Sequence, residues 1–307
     1  MMTLKPGQLC GSIPPLVTPF KNGEVDYATY ARLVERQIAG GSHGILVNGT
    51  TSEPSTLTIE ERNKLVEVAV KTAAGRVPVV AASGSQSHAD SVALSAAAEK
   101  AGADALLILT PYFIRPPQRG MAEYFVDLAR RTALPVMIYH IPGRAAVNIT
   151  VDTVAAIADK APNLVGIKHA VNDLTFVTEL LARMGPDFRV HVGLEDLSLP
   201  MLAVGASGLM NAVGNLAPGK IAALYEKCAA GDLAGARALH YELFELNQSV
   251  FFDTNPIPIK YMMKRLGLLP NEDHRLPMVP ATPELAKRLD GVLERAGLLA
   301  EASRKIA

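Results

Sequence analysis

Tryptophan is absent, cysteine occurs only twice, and no charge of either sign is in surplus, since thirty Lys and Arg balance thirty Asp and Glu. That balance excludes the basic field needed to hold a polyanion such as nucleic acid, so substrate charge must be read by single residues. Cys10 and Cys228 are too few for a disulfide framework and too far apart for a CxxC redox or zinc pair. Free, buried thiols are the simplest reading. No apolar run approaches the ~20 residues a bilayer span needs, and residues 1–11 lack a basic stretch followed by an apolar one. A soluble, cytoplasmic protein with no membrane partner is the default expectation. Metal chemistry lacks its usual pattern too: His43, His88, His140, His169, His191, His240 and His274 show neither HxH nor HExxH spacing and do not cluster with Asp or Glu. No metal site is expected.

What is present is small aliphatic packing. Hydrophobic residues make up 49% of the 307 and aromatics 5%, a profile that suits layered α/β structure. Eight short runs read as strands, at residues 13–17, 44–47, 78–82, 105–109, 135–139, 164–168, 188–192 and 208–211. Helix-period segments lie between them at 27–39, 60–73, 89–101, 121–131, 151–159 and 174–184. Thr58 and Glu61 have the spacing of a capping box, and Gly40, Gly41 and Gly102 read as helix stops. Strict alternation implies parallel strands, and eight units imply a closed (β/α)₈ TIM barrel. No GxGxxG follows the first strand, which argues against a dinucleotide-binding sheet.

After Asn211 the pattern turns helical, at 220–230, 233–250, 258–266 and 283–296. The first of these completes the barrel. The expected division is a catalytic barrel over 1–230 and a C-terminal helical extension over 231–307, whose apolar faces pack on the barrel's outside or on another subunit. Homo-oligomerisation is the corresponding expectation.

Barrels of this kind carry their chemistry at the C-terminal ends of strands, so candidates are sought there. Lys168 closes the uncharged run Leu164, Val165, Gly166, Ile167. Partial desolvation at a strand mouth disfavours an ammonium group and favours the neutral amine that attacks carbonyls. Taken alone, Lys168 could equally turn its stem into solvent. Tyr139 ends the fifth strand, where its hydroxyl can pass protons, and Arg144 follows with a guanidinium suited to a carboxylate. Asn48 to Pro54 form a polar turn whose amides and two hydroxyls, Thr50 and Thr51, can cradle an anion, or simply cap a helix. The loop lacks the Gly-Lys-Ser/Thr of a nucleotide site, so a carboxylate fits better than a triphosphate. Gly193, after the seventh strand, allows close approach of a ligand or is a plain turn glycine. His140 and His169 directly follow Tyr139 and Lys168, and strand alternation assigns both to packing on the opposite face.

Gly49-Thr50-Thr51 with Glu53, Tyr139 with Pro142 and Arg144, Gly166-Ile167-Lys168, and Asn255 through Lys260 together closely resemble the dihydrodipicolinate synthase and N-acetylneuraminate lyase family, from about Gly11 to Leu299. The resemblance implies a metal-free, cofactor-free class I mechanism on a (β/α)₈ barrel, usually in a homotetramer built as a pair of dimers. Lys168 would form an imine with the keto carbon of pyruvate or another 2-keto acid. Tyr139 would shuttle protons, Thr50 would join the relay, and Thr50 with Thr51 would hold the keto-acid carboxylate. Arg144 would bind the carboxylate of an incoming acidic aldehyde such as aspartate semialdehyde. The backbone around Gly193 and Met210 would line the pocket.

Departures from the family pattern bear on substrate. Phe113 stands where a second tyrosine usually completes the relay from a neighbouring subunit, so either Tyr112 or water would take that proton or the chain would run a reaction that does not need it. Ser52 replaces a frequent glycine, Pro54 follows Glu53, His140 stands where asparagine is common and His169 where glutamate is. Ile59 and Arg62 occupy positions where lysine-sensitive relatives often carry histidines, which argues against lysine feedback inhibition. Two alternatives accompany the synthase reading: an aldolase or dehydratase of a 2-keto-3-deoxy acid, and a barrel that binds keto acids without catalysis.

Overall fold

The computed structural model describes residues 2–300. Met1 and the last part of the expected extension, 301–307, lie outside the described residues. Eight strands form one parallel sheet: β1 (Gly11–Ser12), β4 (Ile45–Val47), β5 (Val79–Ala82), β6 (Ala105–Leu109), β7 (Val136–His140), β8 (Leu164–His169), β9 (Arg189–Val192) and β10 (Gly208–Leu209). A separate hairpin pairs β2 (Phe20–Lys21) with β3 (Glu24–Val25). The sheet runs β1-β10-β9-β8-β7-β6-β5-β4, and a bridge between Pro15 and Leu46 joins its two ends into a barrel.

That seam explains why the first strand differs from the expected 13–17. Pro14 and Pro15 have no N–H to donate, so pairing there is thin. Pro14 accepts from the Leu46 amide at 3.1 Å and Leu16 donates back to the Leu46 carbonyl at 3.1 Å, while Ile13 donates to Leu209 at 2.8 Å. Regular ladder survives only at Gly11–Ser12.

Alternation sorts the strand residues into two cores. Leu46, Val80, Ala105, Leu107, Met137 and Val165 fill the barrel's interior with Ile13 and Met210. Ile45, Val47, Val79, Leu106, Ile108, Val136, Ile138, Val190 and Val192 pack outward against the helices. Helices Tyr27–Ala39, Ile59–Ala73, His88–Ala101, Gln118–Arg130, Val151–Lys160, Leu174–Met184 and Pro218–Ala229 cover that outer face, and a short one, Ser198–Ala203, fills a gap the periodicity leaves unmarked. The Thr58–Glu61 capping box forms in both directions, the Glu61 amide donating to Thr58 Oγ1 and the Thr58 amide to Glu61 Oε2.

Beyond the barrel the helices are Leu233–Glu242, Phe244–Ser249, Ile257–Arg265 and Pro283–Arg295. The continuous helix expected over 233–250 is two helices that meet at Leu243. The break turns the chain so that Phe251 and Asn255 reach the C-terminal rim of the barrel. No described helix is long and apolar enough to cross a membrane.

Candidate active site

A register shift on β8 decides where Lys168 points. Val136 pairs with Leu164, but the next β7 residue, Met137, pairs with Gly166, so Val165 is an extra residue. Such a bulge reverses the alternation beyond it. Leu164 packs in the outer core and Val165 in the inner one, and Ile167 returns to the outer core. Lys168 therefore enters the barrel mouth, although four regular steps from Leu164 would have turned it outward. Gly166 permits the shift, because a Cβ there would lie 2.3 Å from the Arg189 carbonyl oxygen.

Beyond the shift Tyr139 and Lys168 are register partners. Both are buried, at 5% and 3% exposure, and Lys168 Nζ lies 4.4 Å from the centre of the Tyr139 ring. Thr50 Oγ1 is 3.2 Å from the Tyr139 hydroxyl. A chain of hydroxyls thus borders the amine.

The loop that brings Thr50 is held from several sides. Asn48 and Glu53 both take left-handed backbone angles, at φ of 58° and 56°, which fold residues 50–56 into two tight turns. Ser52 Oγ donates to the Leu16 carbonyl at 2.6 Å, and Thr18 Oγ1 donates to the Ser52 carbonyl at 2.7 Å. Below the loop the Glu53 carboxylate meets Lys260 Nζ at 2.5 Å and His274 Nδ1 at 2.9 Å, all three side chains about 1% exposed. Asn255 Nδ2 donates to Thr51 Oγ1 at 3.0 Å, and Arg144 Nη2 donates to the Asn255 carbonyl at 3.4 Å. The Asn255-to-Lys260 segment thereby ties the helical extension to the barrel loop.

Lys168, Tyr139, Thr50, Thr51, Arg144, Gly193 and Met210 line one cavity, with Glu195, Phe251 and Asn255. Arg144 is exposed at its mouth, on the short helix Pro142–Ala145. Gly193 sits so close that a Cβ would stand 3.0 Å from Lys168 Cε and 2.8 Å from Ala170 Cβ. Tyr112 does not share this cavity. A turn after β6, with Phe113 at φ 71°, carries Tyr112 to two adjoining cavities, one lined with Arg62, Asn48, Thr50 and Tyr139 and the other with Thr50, Arg144 and Asn255. Phe113 itself is 83% exposed.

Sequence reasoning left out Glu195 and gave no task to Asn255. Glu195 is a buried carboxyl in the turn just after Gly193; its Oε1 accepts from the Ala212 amide at 2.6 Å, and its Oε2 is buried without a hydrogen-bond partner among the described residues. Burial pushes its pKa up to about 7, against the Ala212 hydrogen bond and the Lys168 charge, which pull it down. The only sequence signal was an acidic residue two places beyond a strand-end glycine.

A family model described as the dihydrodipicolinate synthetase family matches residues 8–296. The 4-hydroxy-tetrahydrodipicolinate synthase of Thermus thermophilus is 46% identical over 290 residues, which cover 94% of this chain and 97% of that one. The crystal structure of dihydrodipicolinate synthase from Aquifex aeolicus superposes with a TM-score of 0.93 at 40% identity, covering 94% of this chain and 99% of its own. A chloride-inhibited dihydrodipicolinate synthase from Acinetobacter baumannii, solved with pyruvate, superposes with a TM-score of 0.92 at 32% identity, covering 95% of this chain and 100% of its own. Motifs, barrel and relatives agree, and the chain belongs to the dihydrodipicolinate synthetase family.

Proposed function

We propose that the chain is a Schiff-base-forming lyase of the 4-hydroxy-tetrahydrodipicolinate synthase type, which condenses pyruvate with aspartate semialdehyde. The carrying observation is the buried Lys168 amine beside Tyr139, whose hydroxyl meets Thr50, at the mouth of the barrel. Lys168 Nζ attacks the keto carbon, and loss of water leaves an iminium whose positive nitrogen accepts electrons as the methyl carbon sheds a proton. The resulting enamine attacks the aldehyde carbon and forms the new carbon–carbon bond. The amine of the condensed product then displaces Lys168 and closes the ring.

Each remaining side chain has a task in this sequence. Tyr139 carries protons to and from the imine and the carbon acid, with Thr50 as its neighbour in the relay. Thr50 and Thr51 hold the pyruvate carboxylate, and Arg144 at the mouth binds the carboxylate of the aldehyde. Gly193 and Met210 leave room for the keto acid beside Lys168, and the imine itself is the electron sink, so the reading invokes no metal or cofactor. Tyr112 lines an adjoining cavity with Tyr139 and Thr50, apart from the cavity that Lys168 lines.

A second reading, cleavage or dehydration of a 2-keto-3-deoxy acid through the same imine, is favoured by one residue. Phe113 supplies no hydroxyl where a relay tyrosine would serve condensation. Coupled assays of pyruvate consumption with aspartate semialdehyde, and of pyruvate release from a panel of 2-keto-3-deoxy acids, separate the two. Absence of turnover with aspartate semialdehyde would set aside the synthase reading.

In the same reading, residues 1–230 are the catalytic barrel and 231–307 the extension, and copies of the chain assemble as a dimer of dimers. The exposed Phe113 and Ile114, with Leu233, Tyr241 and Phe244, supply apolar surface for such contacts. The unpaired Cys10 and Cys228 suit a reducing, cytoplasmic compartment.

A further inference from the structure

His140 and His169 stand one residue beyond Tyr139 and Lys168 on the same two strands, and they are register partners as well. Alternation turns them away from the cavity, where both are buried against Phe176; the His169 ring stacks on that phenyl at 4.6 Å and 7°. His140 Nδ1 lies 3.2 Å from His169 Nδ1, and His140 Nε2 lies 3.3 Å from Asn148 Oδ1. The backbone adds one more link, the Ala170 amide donating to the His140 carbonyl at 2.9 Å.

These partners assign the tautomers. Asn148 Oδ1 can only accept, so His140 carries its proton on Nε2 and offers a lone pair at Nδ1. His169 must then donate from Nδ1, which leaves a lone pair on its Nε2, an atom that makes no hydrogen bond of normal geometry among the described residues. Burial holds both pKa values down, to about 4, and the carboxylate of Asp173, which pulls upward, does not offset it.

We propose that the His140–His169 hydrogen bond is a positioning device that sets the separation of Tyr139 and Lys168 by clamping β7 to β8 directly behind them. The inference rests on the Schiff-base reading, since it gives the clamp its purpose. The donor matters rather than the ring: an asparagine amide at position 169 places an N–H near the site of Nδ1, while leucine fills the space without donating.

The test compares His169→Asn with His169→Leu in the full-length protein, reading single-turnover imine formation with pyruvate, kcat and KM, and nitrogen-15 histidine spectra of the unmutated chain. The expected result is that His169→Asn keeps imine formation within about threefold, whereas His169→Leu slows it and kcat by at least about tenfold with KM for pyruvate changed less than threefold. Spectra should show one Nδ1-protonated and one Nε2-protonated neutral ring coupled at this site down to pH 5. Equal rates for the two variants would overturn the proposal. So would finding both rings as Nε2–H tautomers, a readout that stands even if His169→Leu fails to fold. If the unmutated chain forms no imine while the coupled tautomers are present, the Schiff-base reading fails and the clamp is structural only.

Discussion

Lys168 Nζ sits 4.4 Å above the ring of Tyr139, its register partner on the neighbouring strand, and the hydroxyl of that ring is 3.2 Å from Thr50 Oγ1. The Lys168 nitrogen attacks the electrophilic keto carbon, and the Tyr139 hydroxyl, paired with Thr50, is the group that carries protons as water leaves and the imine forms. Amine and phenol are therefore separable in experiment.

Tyr139→Phe keeps the ring and removes the proton carrier. Turnover should fall by about 10²-fold or more, with pyruvate binding by calorimetry largely intact. Thr50→Val should slow turnover in the same direction and weaken pyruvate, because Thr50 lines the cavity as well as the relay. Equal kcat in Tyr139→Phe and the parent chain would remove Tyr139 from the proton path.

Gly193→Ala tests the crowding beside the amine. The new methyl would stand 3.0 Å from Lys168 Cε and 2.8 Å from Ala170 Cβ, closer than packed atoms tolerate. Displacing the lysine by a fraction of an ångström should slow imine formation by roughly tenfold or more while circular dichroism stays unchanged. A normal rate would mean the lysine has room that the structure does not give it.

Lys260 and Glu53 form a buried ion pair under the loop that presents Thr50 and Thr51. Lys260→Met leaves the buried carboxylate with His274 but without its ammonium partner and should cost about 3–5 kcal/mol in urea unfolding. The double variant Glu53→Gln/Lys260→Met should recover part of that loss. If the single and double variants unfold alike, the pair is not coupled.

Stability should respond to pH through groups of opposite sign. Glu195, raised by burial to about 7, binds its proton more tightly folded than unfolded; that contribution is full below pH 4.5 and is lost as pH rises through 7, about 3 kcal/mol in all. His140 and His169, lowered by burial to about 4, and His191, lowered to about 3, act the other way: their contribution is present above pH 6.5 and is lost as pH falls through those values. Three histidines outweigh one carboxyl, so the chain should destabilise between pH 6.5 and 4, and Glu195→Gln should make that loss steeper. A Glu195→Gln curve parallel to the parent's would contradict the assignment.

Sequence pattern made the eight-unit barrel legible because strand and helix periods alternate cleanly from the second strand to the seventh. It placed the first strand too late, since β-branched residues around Pro14 and Pro15 look extended whether or not their amides can pair. Lys168 was found as a strand-end residue, but its inward direction depends on the Val165 bulge, which alternation alone would have missed. Tyr112 sat in a promising motif, yet a left-handed turn at Phe113 takes it to the neighbouring cavities. Glu195 and the two-histidine clamp were invisible for a common reason: their meaning lies in burial and in partners from other strands.

The central claim concerns one nitrogen, and borohydride trapping reads it directly. The chain incubated with pyruvate and sodium borohydride, then digested and mapped by mass, should carry the reduced pyruvyl adduct on Lys168, and Lys168→Ala should carry none. An unmodified Lys168 peptide in protein that still turns over substrate, or an adduct that persists elsewhere in Lys168→Ala, would contradict the account.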